Sequence, residues 1–232
     1  MQRINRTVHA FLTFNPKVIV FVGTVGSGKS TQIRYMALYL KKRGERVKPT
    51  YLKTYFLLTK NLLRVFRNLG ISVRGLYRIH RLLVMLDLII NTFLLPFLGL
   101  VRVKLASKLF RYVLVEEYLP GILVDYVHAM ITLKLSREFV MGLTSILFKM
   151  LYSRNLITFI LTCNSALLPH RWKIRNSPPE IRSYLEVQKN IFACWSKCMS
   201  NVFKISTTDR SIEETNREIR AILYKYDIVE NL

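Results

Sequence analysis

Three glycines, a lysine and a serine at fixed spacing, Gly23-Thr24-Val25-Gly26-Ser27-Gly28-Lys29-Ser30, restrict this chain more than any other feature. The run ahead of them, Val18-Ile19-Val20-Phe21-Val22, is apolar and mostly β-branched, as a fully buried strand requires. Behind them Ile33, Met36, Ala37 and Leu40 recur at helical spacing. A strand that passes into a helix through glycines leaves backbone N–H groups converging at the helix start, and only glycine adopts the φ angles of such a curl without strain. The octet fits G-x-x-x-x-G-K-[ST] at every fixed position, the pattern of a phosphate-binding loop. In that reading Gly23, Gly26, Ser27, Gly28, Lys29, Ser30 and Thr31 cradle the phosphates of a bound nucleotide. Lys29 reaches the β- and γ-phosphates, and the Ser30 hydroxyl ligates Mg²⁺.

The remaining chain alternates between short apolar runs and helical stripes. Gly44 is placed to stop the first helix. Strands are expected over Val47 to Thr54, Tyr112 to Val115 ending in Glu116-Glu117, Leu156 to Leu161, and Val202 to Ile205. Pro49 is unfavourable in the second of these, because it cannot donate to a ladder. Ser177 with Pro178 predicts a helix start, with Ile181, Tyr184, Leu185, Ile191, Phe192 and Trp195 as its apolar stripe. Ser211 and Glu214 predict a capping box ahead of Ile219, Ile222 and Leu223. Strands separated by helices imply a parallel sheet covered on both faces. The expected fold is a three-layer α/β phosphate-loop architecture with a central parallel sheet of about five strands, a single domain over 1–232 with an inserted helical region at 56–109. Its ligand belongs at the carboxyl ends of the strands.

The inserted region reads as helical, apolar and basic. Leu82 to Val101 carries one charge, Asp87, and is long enough to cross a bilayer. Asp87 inside a span costs about 2.5–3.5 kcal/mol. Asn91 and Pro96 interrupt the stretch, and basic residues flank both ends (Arg74, Arg78 and Arg81; Arg102 and Lys104). A span here would also separate the first strand from the third. The segment is therefore expected to be a pair of buried helices beside the nucleotide cleft, with homodimer or peripheral membrane contact as the alternative use of its surface. Asp87 either lines the acceptor pocket or pairs with a neighbouring helix.

Lysine and arginine number 36 against 14 acidic residues, a net charge of +22. Such a balance attracts polyanions, whether nucleotides, nucleic acid or an anionic membrane, without choosing among them. Cys163, Cys194 and Cys198 form no disulfide framework; the pair at i, i+4 has the spacing to share a metal but no second ligand pair, and reads as buried thiols. Met1 to Asn15 has a basic start but no continuous apolar core, so it does not read as a secretory signal, and the chain is expected in the cytoplasm.

The segment Phe21 to Gln32, with Thr31-Gln32 after the loop and a helix ending Tyr39-Leu40-Lys41-Lys42-Arg43-Gly44, resembles the opening of thymidylate kinases. The acidic strand end at Glu116, the strand near Ile157, the basic segment Arg171 to Arg182 and the ending Ser211 to Glu214 fall in that family's order. The resemblance implies a nucleoside monophosphate kinase that moves the γ-phosphoryl group of ATP to a monophosphate (thymidylate-like) or a related small phosphorylated acceptor. It implies that Glu116 stands where the family's aspartate orients Mg²⁺. It also implies a mobile basic lid over the phosphates, here residues 168–178, with Arg171, Lys173 and Arg175 as its cations. One departure is chemical: an arginine that would hold the acceptor's phosphate in the family is Glu117 here, and Leu52-Lys53-Thr54 replaces the family's Arg-Glu-Pro. Lys53 or Arg102 would have to substitute, or the acceptor differs, or the chain binds ATP as a switch or scaffold that contacts nucleic acid, a membrane or a protein partner.

Overall fold

The computed structural model describes residues 17–68, 77–152 and 156–226; the Met1 to Asn15 reading and Arg74 lie outside them. Five strands form one parallel sheet: β1 (Lys17–Gly23), β2 (Val47–Leu52), β3 (Tyr112–Glu117), β4 (Ile157–Thr162) and β5 (Val202–Ser206), in the order β2-β3-β1-β4-β5. The eight helices among the described residues are α1 (Lys29–Lys42), α2 (Leu57–Asn68), α3 (Tyr77–Leu109), α4 (Leu119–Thr132), α5 (Arg137–Leu151), α6 (Leu168–Ile174), α7 (Arg182–Cys198) and α8 (Ile212–Lys225). This is the three-layer α/β arrangement expected from the alternation.

Period-two patterning divides the strands between two cores. Ile19 and Phe21 of β1 point with Leu114 and Phe159 into a core closed by Met36 and Leu40 of α1 and by Ile219 and Leu223 of α8. Val20 and Val22 point the other way, with Val113 and Val115, toward Leu119 and Ile122 of α4, Leu147 of α5 and Trp195 of α7. Both faces of β1 are dry, so its residues Ile19 to Val22 have no solvent exposure. The register sets Phe21 beside Glu116 and Gly23 beside Leu161, so the glycine loop and the acidic end of β3 emerge at the same edge.

Local punctuation acts as expected at several points. Gly44 adopts φ 77°, and its N–H reaches the Lys41 carbonyl at 2.9 Å. The capping box is formed: Ser211 N–H donates to Glu214 Oε2 at 2.7 Å, and Glu214 N–H donates to Ser211 Oγ at 3.1 Å. Pro49 is accommodated because β2 is an edge strand. β2 ends at Leu52 rather than Thr54, where its ladder with β3 runs out at Glu117.

Three expectations are corrected. The helix expected from Ser177 begins at Arg182, because Pro179 disfavours a helical Pro178 and neither proline donates an N–H. Ile181 is consequently exposed, and Val187, Gln188, Phe192 and Trp195 are the buried residues of α7. Cys194 and Cys198 are exposed, not buried; their sulfurs lie 3.9 Å apart on the face of α7 shared with Asn190 and Lys197. Among the described residues no group of three or more His, Cys, Asp or Glu side chains could hold a metal.

The third correction concerns α3. It is one 33-residue helix, long and apolar enough to cross a membrane, and only one of its faces is buried. Pro96 does not end it; the Thr92 carbonyl loses its donor, and a wider π-helical stretch, Leu100–Leu105, follows. Leu82, Leu86, Ile90, Phe93 and Phe97 form an exposed stripe, with Phe93 63% and Phe97 60% accessible. The inner face carries the polar residues. Asp87 is fully buried and caps α2: Oδ1 accepts the Leu58 N–H at 2.9 Å, and Oδ2 accepts the Thr59 N–H at 2.9 Å and its hydroxyl at 2.6 Å. Asn91 completes the joint, accepting the Tyr55 N–H at 2.9 Å and donating to the Tyr55 carbonyl at 2.6 Å. Asp87 is thus the paired residue of the two alternatives, and it explains why a charge is tolerated mid-stretch. Replacing it with alanine strands two backbone donors, and Asp87→Ala should lose about 3 kcal/mol of stability. The check is a lower urea midpoint at unchanged m-value.

Candidate active site

The end of β1 has to turn sharply to feed α1, and its glycines make that turn. Gly23, Gly26 and Gly28 take φ values of 151°, 91° and 94°. A Cβ on Gly23 would collide with the Leu161 carbonyl and lie 2.6 Å from Ser27 Oγ, whereas a Cβ on Gly28 would meet nothing within 4 Å. The first glycine allows close packing against β4; the last leaves open space at the start of α1, where helix N–H groups converge. The Ser27 and Thr24 hydroxyls are buried without a partner. A cradle of this shape, with unspent donors, fits a polyphosphate.

Lys29 is folded inward and only 6% exposed. Its Nζ donates to the carbonyls of Gly23 at 2.6 Å and Thr24 at 3.1 Å, and it pairs with Glu117 Oε1 at 3.2 Å. The Ser30 hydroxyl donates to Glu116 Oε1 at 2.8 Å. The two acidic residues that end β3 therefore face different partners. Glu116 and Ser30 offer adjacent hard oxygen donors, the sparse set that suits Mg²⁺ held mainly by substrate phosphates and water. Glu117 and Tyr118 adopt φ 70° and 94°, a left-handed backbone that is unfavourable for side-chain-bearing residues. The bend lays the Glu117 carboxylate over Gly121 in the first turn of α4, where a Cβ would overlap it.

The basic segment after β4 is anchored to the loop. Trp172 donates its indole N–H to the Val25 carbonyl at 2.7 Å. Arg171 donates to the Gly26 carbonyl at 3.0 Å, and to the hydroxyl and carbonyl of Thr207 at 2.9 and 2.7 Å. Arg175 lines the clefts on both sides of the loop, while Lys173 is exposed and lines neither. The cleft of about 370 Å³ between the loop, α6 and α8 also includes Thr31, Gln32 and Ser211. Gln32 ties α1 to α8, donating to the Ile212 carbonyl at 3.0 Å and accepting from Asn216 at 3.1 Å.

The other cleft, about 530 Å³, lies between the loop, β2, α4 and α7. It contains polar side chains that the motifs did not single out. Glu180 Oε2 accepts the Val25 N–H at 3.3 Å, so a carboxylate reaches the phosphate loop itself. Tyr184 donates its hydroxyl to Asp125 Oδ1 at 2.7 Å. Burial pushes the Asp125 carboxyl up to about 6, with Glu117 and Glu180 adding to the rise, and burial also raises Glu180. The signal for these residues was their scarcity: Glu116, Glu117, Asp125 and Glu180, four of the 14 acidic residues, line this single cleft. Lys53 reaches its rim, whereas Arg102 is held outside by the Tyr55 hydroxyl at 2.9 Å and the Tyr51 ring at 4.8 Å. A carboxyl raised in the folded state binds protons that the unfolded chain has released. Stability should therefore fall as pH rises from about 4 to 6, by at most about 1.4 kcal/mol per unit from this group. Asp125→Asn should flatten that slope in denaturant titrations across this range.

No protein-family model and no curated protein matches the sequence. Solved structures that resemble the chain in three dimensions include two thymidylate kinases. The thymidylate kinase of Candida albicans shares 13% identity over 93% of this chain and 96% of its own, with a TM-score of 0.51. The thymidylate kinase of Ehrlichia chaffeensis shares 16% identity over 90% of this chain and 99% of its own, with a TM-score of 0.47. At such identities the likeness is one of architecture, and the chain has a thymidylate kinase-like α/β fold.

Proposed function

We propose that this protein is a phosphotransferase that moves the γ-phosphoryl group of Mg-ATP to a small acceptor, in the manner of nucleoside monophosphate kinases. The observation that carries the reading is the arrangement around Lys29: a phosphate cradle, the Ser30–Glu116 oxygen pair, and a cleft on each side of the loop. The cleft by Thr31, Arg171 and Ser211 would take the nucleoside part of ATP, and the cleft by Glu117 would take the acceptor. Lys29 would swing from the Gly23 and Thr24 carbonyls to the β- and γ-phosphates. Arg175, placed between both clefts, would neutralise charge on the group in transfer, with Arg171 holding the loop and Lys173 at the lid's outer face. Mg²⁺, when bound, would neutralise phosphate charge and template the transfer; Ser30 and Glu116 would hold it. The resemblance implies a nucleoside monophosphate (thymidylate-like) or a related small phosphorylated acceptor, although the carboxylates of the cleft oppose that charge.

A second reading, an ATP-binding switch or scaffold without transfer, has one observation in its favour: Glu117 pairs with the lysine that transfer requires. The exposed stripe of α3, on a chain of net charge +22, supports peripheral contact with an anionic membrane or a second copy from a cytoplasmic location. Acceptor-dependent ADP formation separates the two readings. We expect turnover that chelation of Mg²⁺ abolishes and that Lys29→Ala lowers at least about 100-fold. Lys29-dependent ATP binding with no phosphoryl transfer, to an acceptor or to water, would favour the switch.

A further inference from the structure

We propose that the acceptor cleft takes a hydroxyl-bearing molecule without a phosphate, and that Glu117 is the general base that receives its proton. This rests on the phosphotransferase reading and names the acceptor class for it.

The two acceptor classes make opposite demands. A phosphate acceptor is already ionised near neutral pH, needs no base, and needs fixed cations to hold it. A hydroxyl is a poor nucleophile until a positioned carboxylate accepts its proton, as in kinases that phosphorylate alcohols. The cleft meets the second demand. Its inner wall carries Glu117, Asp125 and Glu180, while the cations Lys53 and Arg175 are exposed at the rim and Lys29 belongs to the phosphate loop. The mutual influence of these carboxylates is visible in Asp125, whose proton affinity Glu117 and Glu180 both raise. A dianion placed there would feel the same field.

One further atom points to the ligand independently of the charges. Gln188 lines this cleft, is 5% exposed, and its Oε1 has no hydrogen-bond partner. A buried amide oxygen without a donor is costly, and a ligand hydroxyl supplies the donor. Asp125, already accepting the Tyr184 hydroxyl, offers a second acceptor in the same cleft. The pocket is thus built to receive O–H groups.

Glu117 is in place for the chemistry. Its carboxylate lies 3.2 Å from Lys29 Nζ, the group that would hold the transferring phosphate, so a hydroxyl seated on Glu117 faces that phosphate. The left-handed backbone at Glu117 and Tyr118, with the missing Cβ of Gly121, aims it there. In the step, the acceptor O–H proton passes to the Glu117 carboxylate, the oxygen lone pair forms the new bond to the γ-phosphorus, and the bond from that phosphorus to the β,γ-bridging oxygen breaks. ADP leaves with that electron pair, and the proton on Glu117 is later lost to solvent.

Two measurements decide the matter on the full chain. The first compares equilibrium binding of thymidine and thymidylate by calorimetry, without nucleotide. We expect thymidylate to bind no more tightly than thymidine, and Glu117→Arg to raise thymidylate affinity at least tenfold. Wild-type preference for thymidylate by tenfold or more overturns the inference and leaves the phosphotransferase reading intact. The second uses water as the smallest hydroxyl acceptor and follows slow hydrolysis of Mg-ATP. Glu117→Gln should lower that rate at least 100-fold, with Mg-ATP affinity retained. An unchanged rate in Glu117→Gln overturns the base assignment. Failure of wild type to bind Mg-ATP would instead remove the phosphotransferase reading beneath it.

Discussion

Everything in this fold is placed by where β1 stops. It is the central strand, dry on both faces and paired on both edges, so it cannot shift without disturbing both cores. Its last residue, Gly23, is pressed against the Leu161 carbonyl of β4. The chain must therefore turn at that point and enter α1. The parallel strands β3, β4 and β5 end at the same edge, so their following segments supply the rest of the site. Lys29, tucked under the loop against Glu117, is where the constraints of β1 and β3 meet.

The loop could be read from the chain because its chemistry is written in consecutive residues. Strand order could not, yet the existence and type of most elements could, since full burial forces apolar runs and helices show their stripe. Reading failed where long-range packing overrode local signals. Ser177-Pro178 has the form of a helix start, but the second proline and the reach of Glu180 to Val25 keep the segment extended until Arg182. Pro96 has the form of a break, but the packed inner face of α3 carries the helix through it.

The larger cleft was legible only as an anomaly. Glu117 stood out as a glutamate at a position where a cation is needed for a phosphate. Asp125, Glu180 and Gln188 had no motif to announce them, because they come from three separate segments and converge only through the fold, and Tyr184 was legible only as part of an apolar stripe. Asp87 shows the reverse case: conspicuous in the sequence, it serves the α2–α3 joint and contributes nothing to the cleft. Position in the fold thus separates the carboxylate that joins two helices from those that line the cleft.

The indole bond from Trp172 to the loop has an optical consequence. The chain contains two tryptophans. Trp195 sits in the core among Phe148 and Tyr152, remote from solvent changes at the loop. Trp172 donates to the very backbone that would close on a nucleotide, so its emission reports the state of the loop against a constant background from the other. The protein thus carries its own fluorophore at the point where α6 meets the glycine loop, and a change of environment there can be followed without any label.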